Sequence, residues 1–129
     1  MIDLRIESTP STPEIEFKNC GEMSIKGKSL PEDPRKFFMP LFDWINEMNA
    51  NIVSLDVQLE YVNTSSSKNI LELIKSIDNQ QNVKHLNLKW HYELDDMDML
   101  EFGEIIQRSL KRAKVEYLEY EDSDENYNF

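Results

Sequence analysis

The chain has 129 residues and a net charge of −11 at pH 7, from 14 Lys and Arg against 25 Asp and Glu. That length fits one domain and would crowd two full cores, while 40% apolar and 10% aromatic residues suffice for a core and argue against wholesale disorder. The acidic balance disfavours general nucleic-acid binding, which needs clustered Lys and Arg to neutralise phosphates, and disfavours docking on anionic lipid.

Short strands open the chain. Leu4 and Ile6 alternate with polar residues, the run STPSTP (8–13) interrupts, and Ile15 and Phe17 alternate again. Cys20-Gly21 turns the chain, and Met23 and Ile25 alternate before Gly27. Period-two alternation marks half-buried strands, so a hairpin is predicted around residue 20. The segment 29–49 carries Phe38, Leu41, Phe42, Ile45 and Met48 at helical spacing, with Pro34 and Pro40 among them. Proline fits a first helical turn but not a helix interior. The prediction is therefore a short turn over 34–38 and a main helix over about 40–49, with Pro40 in its first turn.

Residues 52–61 form the clearest strand. Val53, Leu55, Val57, Leu59 and Tyr61 point one way, and Ser54, Asp56, Gln58 and Glu60 the other. NTSSSK (63–68) opens a helix with Ile70, Leu71, Ile74 and Ile77 on its apolar face, and NQQN (79–82) ends it. A strand starts at Val83, in which Leu86, Leu88, Trp90 and Tyr92 alternate with Asn87, Lys89 and His91. ELDDMDM (93–99) opens a third helix with Met99, Phe102, Ile106 and Leu110 on one face. Arg108, Lys111 and Arg112 fall in its last turn, where cations suit the dipole. A final strand runs from Val115 to Tyr120, and the acidic tail 121–129 is predicted to be disordered.

Strands alternating with helices imply crossover connections and a largely parallel sheet. A sheet covered on both faces would show continuous apolar runs, whereas 52–61 and 86–92 alternate. The expectation is an α/β domain with its helices packed mainly on one face and the other face partly wet. A single cysteine, Cys20, allows neither an internal disulfide nor a multi-cysteine metal site. No signal peptide and no membrane-spanning run are visible, so a soluble, cytoplasmic setting without membrane insertion is expected.

No standard catalytic or cofactor motif is present. Gly21, Gly27 and Gly103 are the only glycines, and none has phosphate-loop spacing. His85 and His91 lie on the same polar strand face, where two exposed histidines are the simpler account. Asp95, Asp96, Asp98 and Glu101 lack the glycine and twelfth-position glutamate of a calcium loop. Capping by Asp95 and a favourable helix dipole explain them. Cys20 has only Lys18 as a basic neighbour, too little for a reactive thiol. Phe37, Phe38, Phe42 and Trp44 read as core and domain surface.

The remaining candidate is YVNTSSSK (61–68), with four consecutive hydroxyls at a strand-to-helix junction. Asn63 or Thr64 can cap the helix, but one cap needs one hydroxyl, and three serines favour a helix poorly. A phosphorylation site on a helix N-terminus is the alternative.

Four stretches, STPSTPEIEF (8–17), GKSLPEDPRKFFMPLFDWI (27–45), LEYVNTSSSKNILELI (59–74) and LKWHYELDDMDMLEFGE (88–104), together resemble the SiaC family of bacterial regulatory phosphoproteins. The resemblance covers most of residues 4–118. It implies a single-domain, STAS-like mixed sheet over 1–120, similar to anti-sigma-factor antagonists. It also implies a non-enzymatic partner switch. A serine/threonine kinase of the anti-sigma-factor type would phosphorylate Thr64, with Ser65, Ser66 and Ser67 as lesser candidates, and a PP2C-type phosphatase would reverse it. The unphosphorylated form would bind and activate an effector, a diguanylate cyclase making cyclic di-GMP, through Asn63, Thr64, Ser65, Ser66 and Lys68. The loop Leu30–Asp33 and the aromatics Phe37 and Phe38 are further docking candidates. The competing readings are a constitutive adaptor without a switch, and a small metal-dependent hydrolase using Asp95, Asp96, Asp98, His85 and His91.

Overall fold

Strands β1 (Leu4–Ile6), β2 (Glu14–Phe17) and β3 (Glu22–Ser29) precede α1 (Pro34–Glu47) and β4 (Ile52–Val62). Then come α2 (Thr64–Asn79), β5 (His85–Glu93), α3 (Met97–Arg108) and β6 (Lys114–Tyr120). This computed structural model describes residues 2–121; the predicted disordered tail lies, beyond Glu121, outside the described residues. The six strands form one sheet in sequence order. β1, β2 and β3 pair antiparallel, and β3 through β6 pair parallel. Gly21 makes the β2–β3 turn with φ of 105° and accepts from the Ser54 N–H, while a Cβ there would meet the Ile52 carbonyl oxygen at 2.1 Å. Both the left-handed backbone and the close approach require glycine.

The strand order fixes where the helices go. Each parallel crossover is right-handed as a rule, and each moves one strand in the same direction, so α1, α2 and α3 fall on one face. That face holds the core: Phe17, Ile25, Leu55, Val57, Leu88 and Trp90 of the sheet lie under Leu41, Ile45, Leu73, Ile74 and Ile106 of the helices. The opposite face is polar. One register row across it reads Arg5, Glu16, Ser24, Asp56, Lys89 and Glu116. The alternation read from the sequence thus matches helices on one face. Because the strand order never reverses, the crevice that doubly wound sheets use for ligands does not form.

Three expectations need correction. The first is the helix predicted to start at Pro40. α1 instead runs unbroken from Pro34, with Asp33 capping the Lys36 N–H at 3.1 Å and Pro40 inside. An interior proline costs about 3 kcal/mol. Continuity adds Phe38, worth about 1.5–3 kcal/mol when buried, to the face that already buries Leu41, Trp44 and Ile45, and it keeps the Asp33 cap, so together these offset the proline. Pro40 itself is exposed.

The second concerns Tyr61, expected on the apolar face of β4. Gly27 pairs with Leu59, but Lys28 pairs with Tyr61, so Glu60 is an extra residue in the ladder. The bulge reverses the alternation. Tyr61 turns out, half exposed, and Val62 turns in against the core opposite Ser29.

The third concerns α3. Its cap is Asp96, whose Oδ1 accepts from the Met99 N–H at 3.1 Å, not Asp95. It ends at Arg108, so Lys111 and Arg112 lie beyond its last turn, and their backbone N–H groups donate instead to Asp78. β5 starts at His85 rather than Val83, though Val83 is still buried.

α3 packs by way of Gly103. Trp90 is fully buried, donates its Nε1–H to the Met99 carbonyl at 2.9 Å, and meets the Phe102 ring edge-on at 5.3 Å. A Cβ on Gly103 would lie 2.5 Å from the Trp90 ring. Gly103→Ala gains about 1 kcal/mol of helix propensity, but a clash against an immobile buried ring costs about 1–3 kcal/mol or more. The expected net is a destabilisation of up to about 2 kcal/mol in urea unfolding. A stabilised variant would mean that α3 can move off the sheet.

Candidate functional site

α2 begins at the carboxyl edge of the sheet, one residue after β4 ends. Asn63 is its cap, in an extended conformation. The Asn63 Oδ1 accepts from the Ser66 N–H at 2.8 Å, and its carbonyl accepts from the Ser67 N–H at 2.9 Å. The N–H groups of Thr64 and Ser65 find no acceptor among the described residues. They add to the positive end of the helix dipole. Asn63→Ala is expected to cost about 1 kcal/mol in urea unfolding, the ordinary worth of such a cap. No loss would mean that a water or a neighbouring hydroxyl replaces it.

The four hydroxyls separate sharply in environment. Thr64 and Ser65 are exposed. Ser66 is 0% exposed, and its Oγ accepts from the Ser29 Oγ–H at 2.9 Å. Ser67 is half-buried and donates to the Thr64 carbonyl at 2.9 Å. Ser66 therefore leaves the set of groups a kinase or partner can reach in the folded chain. It anchors the junction instead: Ser29 holds Ser66 through its hydroxyl and accepts from the Asn63 N–H through its carbonyl at 3.1 Å. Sequence reading missed Ser29, because nothing local links residues 37 positions apart. Lys68 is exposed one turn beyond Thr64, and no salt bridge engages it among the described residues.

Beside Thr64 lies a groove between the N-terminal halves of α1 and α2. Pro34, Phe38, Met39 and Phe42 line one side, Ser65 and Asn69 the other, with Asp33 and Arg35 at its end. Phe37 supports it by meeting Phe38 edge-on at 5.1 Å. Of the further docking candidates, Asp33 and Phe38 thus reach the neighbourhood of Thr64. Leu30 is instead half-buried and donates its N–H to the Ser11 carbonyl at 2.8 Å. A larger, polar concavity lies on the open sheet face, lined by Glu14, Lys26, Gln58, Glu60, Glu93 and Asp95 among others.

The residues of the hydrolase reading do not converge. His91 is bonded to the Asp56 Oδ1 at 2.9 Å, and His85 lies six strand residues away, about 20 Å. The Asp96 Oδ1 is committed to its cap. Among the described residues no three His, Cys, Asp or Glu side chains gather as ligands for a metal ion. Cys20 is exposed in the β2–β3 turn. Among the described residues no helix is long and apolar enough to cross a membrane.

Together these features define a small α/β domain whose distinctive polar groups sit at one capped helix start and not in an enclosed cleft. A family profile described as SiaC family regulatory phosphoprotein matches residues 6–120. An uncharacterised protein of Pseudomonas aeruginosa (strain UCBPP-PA14) is 32% identical over 109 residues, covering 81% of this chain and 86% of that protein. A chain in the crystal structure of the diguanylate cyclase SiaD with its activator SiaC, also from Pseudomonas aeruginosa, superposes with a TM-score of 0.81 at 28% identity. The match covers 92% of this chain and all of that one. Apo-SiaC from the same organism gives 0.72 at 30% identity, over 92% of this chain and 98% of its own. The chain belongs to the SiaC family of regulatory phosphoproteins.

Proposed function

We propose that this chain is a non-enzymatic, cytoplasmic partner switch, carried by residues 1–120, whose unphosphorylated form binds and activates a diguanylate cyclase. The observation that carries the reading is the exposed Thr64 hydroxyl at the first position of a capped helix, beside an apolar groove, in a SiaC-family chain. A relative of this fold, SiaC, is the activator of the diguanylate cyclase SiaD, which supports the choice of effector. Asn63, Thr64, Ser65 and Lys68 form the contact surface, with Ser66 positioning them from beneath.

The switch follows from charge. A serine/threonine kinase of the anti-sigma-factor type removes the Thr64 hydroxyl proton, the Oγ1–phosphorus bond forms, and the bond from the γ-phosphorus to the β-phosphate oxygen breaks to release ADP. A PP2C-type phosphatase reverses the state with water, releasing inorganic phosphate. The phosphate carries about −1.5 to −2 charges. Free N–H groups and the helix dipole stabilise it by only about 0.3–1 kcal/mol within the chain. Burying it unpaired at an interface costs roughly several kcal/mol. The partner contribution outweighs the local one, so phosphorylation blocks docking without refolding the domain.

Peptide mass spectrometry after incubation with the kinase and ATP tests the site. One phosphate on Thr64 is the expected result. Phosphate on Ser65 would move the site by one residue. No phosphate, with a kinase active on another substrate, would favour a constitutive adaptor.

A further inference from the structure

The sheet face that carries no helix is not polar throughout. By register, Lys28 and Tyr61 sit side by side at its carboxyl end, Glu93 pairs with Tyr120 on the next two strands, and Leu118 pairs with His91 two residues back. Tyr61 is 50% exposed, and Leu118 and Tyr120 are half-buried. The β4 bulge is what turns Tyr61 onto this face, and bulges of that kind re-aim side chains beside working sites. A concavity opens there, and its charges do not balance. Glu14, Glu60, Glu93, Asp95 and Asp96 line it, against Lys26. Lys28 beside Tyr61 adds a second cation, Asp96 has its Oδ1 committed to its cap, and His91 is bonded to Asp56 at 2.9 Å. The carboxyl end of the open face thus joins exposed apolar side chains to an excess of carboxylates.

Resting on the reading above, we propose that this surface docks the phosphatase that acts on Thr64, through a basic segment of that enzyme. Arg and Lys suit it in both parts. Their aliphatic stems cover Tyr61 and Leu118, a guanidinium can stack on the Tyr61 ring, and their charges face Glu60, Glu93 and Asp95. Such complementarity speeds association and selects the partner more than it adds affinity. Charge also chooses between the two enzymes that must reach Thr64. Tyr61 is three residues from Thr64, at most about 10 Å along the chain, which is close to the screening length of about 8 Å at physiological salt. A phosphate on Thr64 adds about −1.5 to −2 charges to the same edge. A basic partner then holds the phosphorylated chain more tightly. It lets go once water has formed its bond to phosphorus and the Oγ1–phosphorus bond has broken, leaving the hydroxyl. That is the order a phosphatase needs, whereas a kinase docked in this way would hold its own product. The groove between α1 and α2 lies on the helical side of the sheet, so this surface and the groove flank Thr64 from opposite faces.

The experiment measures steady-state dephosphorylation of Thr64-phosphorylated chain by a purified PP2C-type phosphatase from the organism that makes this chain. Four forms are compared: the unmodified chain, Tyr61→Ser/Leu118→Ser, Glu60→Lys/Asp95→Lys, and Asp43→Lys/Glu47→Lys on α1 as a control with the same change of charge. Circular dichroism checks that each is folded. The expected result is KM raised at least about tenfold with kcat unchanged for both surface variants, and no change for the control. KM of the unmodified chain should rise with salt, and that of Glu60→Lys/Asp95→Lys should rise less. The unphosphorylated surface variants should keep the kinase rate and the effector affinity of the unmodified chain. If the unmodified chain takes no phosphate on Thr64, the switch reading fails and the docking proposal with it. If it takes the phosphate and all four forms are dephosphorylated alike, the switch stands and the docking surface is overturned. A lower KM for Glu60→Lys/Asp95→Lys overturns the basic partner. Surface variants that lose kinase rate or effector affinity while keeping the phosphatase KM give the face to that other partner and overturn the proposal.

Discussion

Phosphorylated Thr64 is expected to weaken the effector complex about a hundredfold or more, the equivalent of about 3 kcal/mol. The magnitude comes from the interface. Two negative charges on an exposed first-turn residue cost nothing in the free chain, where the helix start favours them slightly. In the complex they must be buried without a partner or must displace it. Thr64→Ala should bind the effector like the unmodified chain and resist the kinase. Thr64→Asp should block only partly, because one charge on a planar carboxylate imitates a phosphate poorly. Isothermal titration with stoichiometrically phosphorylated protein measures the difference. Equal affinities would end the switch model. Retained fold with lost affinity is the specific signature, since the local hydrogen bonds of Asn63, Ser66 and Ser29 need not change.

Asp78→Ala should destabilise the domain by about 3–6 kcal/mol. Asp78 is 1% exposed at the end of α2. Its Oδ2 accepts from the Lys111 N–H at 2.7 Å and its Oδ1 from the Arg112 N–H at 3.2 Å. The Arg112 guanidinium closes the same joint, donating to the Val83 carbonyl at 2.6 Å and to the Asp78 carbonyl. Alanine leaves two backbone donors without their acceptor, each bond to a charged group contributing about 1.5–3 kcal/mol. Against a typical total of about 5–15 kcal/mol, that is a large share. Asp78→Asn keeps the shape and one acceptor oxygen, so it should cost less. Urea unfolding of the three proteins measures it. A loss under about 1 kcal/mol would show that water takes over both donors.

Patterning with a short period made much of this legible in the sequence. β4 and β5 alternate, and alternation together with three intervening helices implied a sheet covered on one face. The structure adds a strand order that never reverses, and with that order the right-handed crossover rule leaves no other place for the helices. The capped start of α2 was legible as well, because Asn63 and its acceptor role are local to four residues. What misled was also local. Pro40 reads as a helix breaker because its cost is local, while the burial that offsets it comes from contacts with the sheet. Tyr61 reads as core because alternation continues on paper; one extra residue in a parallel ladder reverses it, and the pairing partner lies more than thirty residues earlier.

The candidate site divides in the same way. Hydroxyls at 64–67 are visible in the sequence, but which of them faces water is not. That was decided by tertiary packing, which buries Ser66 against the hydroxyl of Ser29 and leaves Thr64 and Ser65 outside. The groove that adjoins them joins α1 to α2 and exists only once both helices pack side by side on the same sheet face. The sequence by itself determined the elements, the covered face and the helix start that carries Thr64, because each depends on side chains a few residues apart. Only the tertiary structure decided the length of α1, the outward turn of Tyr61, the burial of Ser66 and the groove. Each of those is an energy shared between segments distant in the chain, which no local window contains.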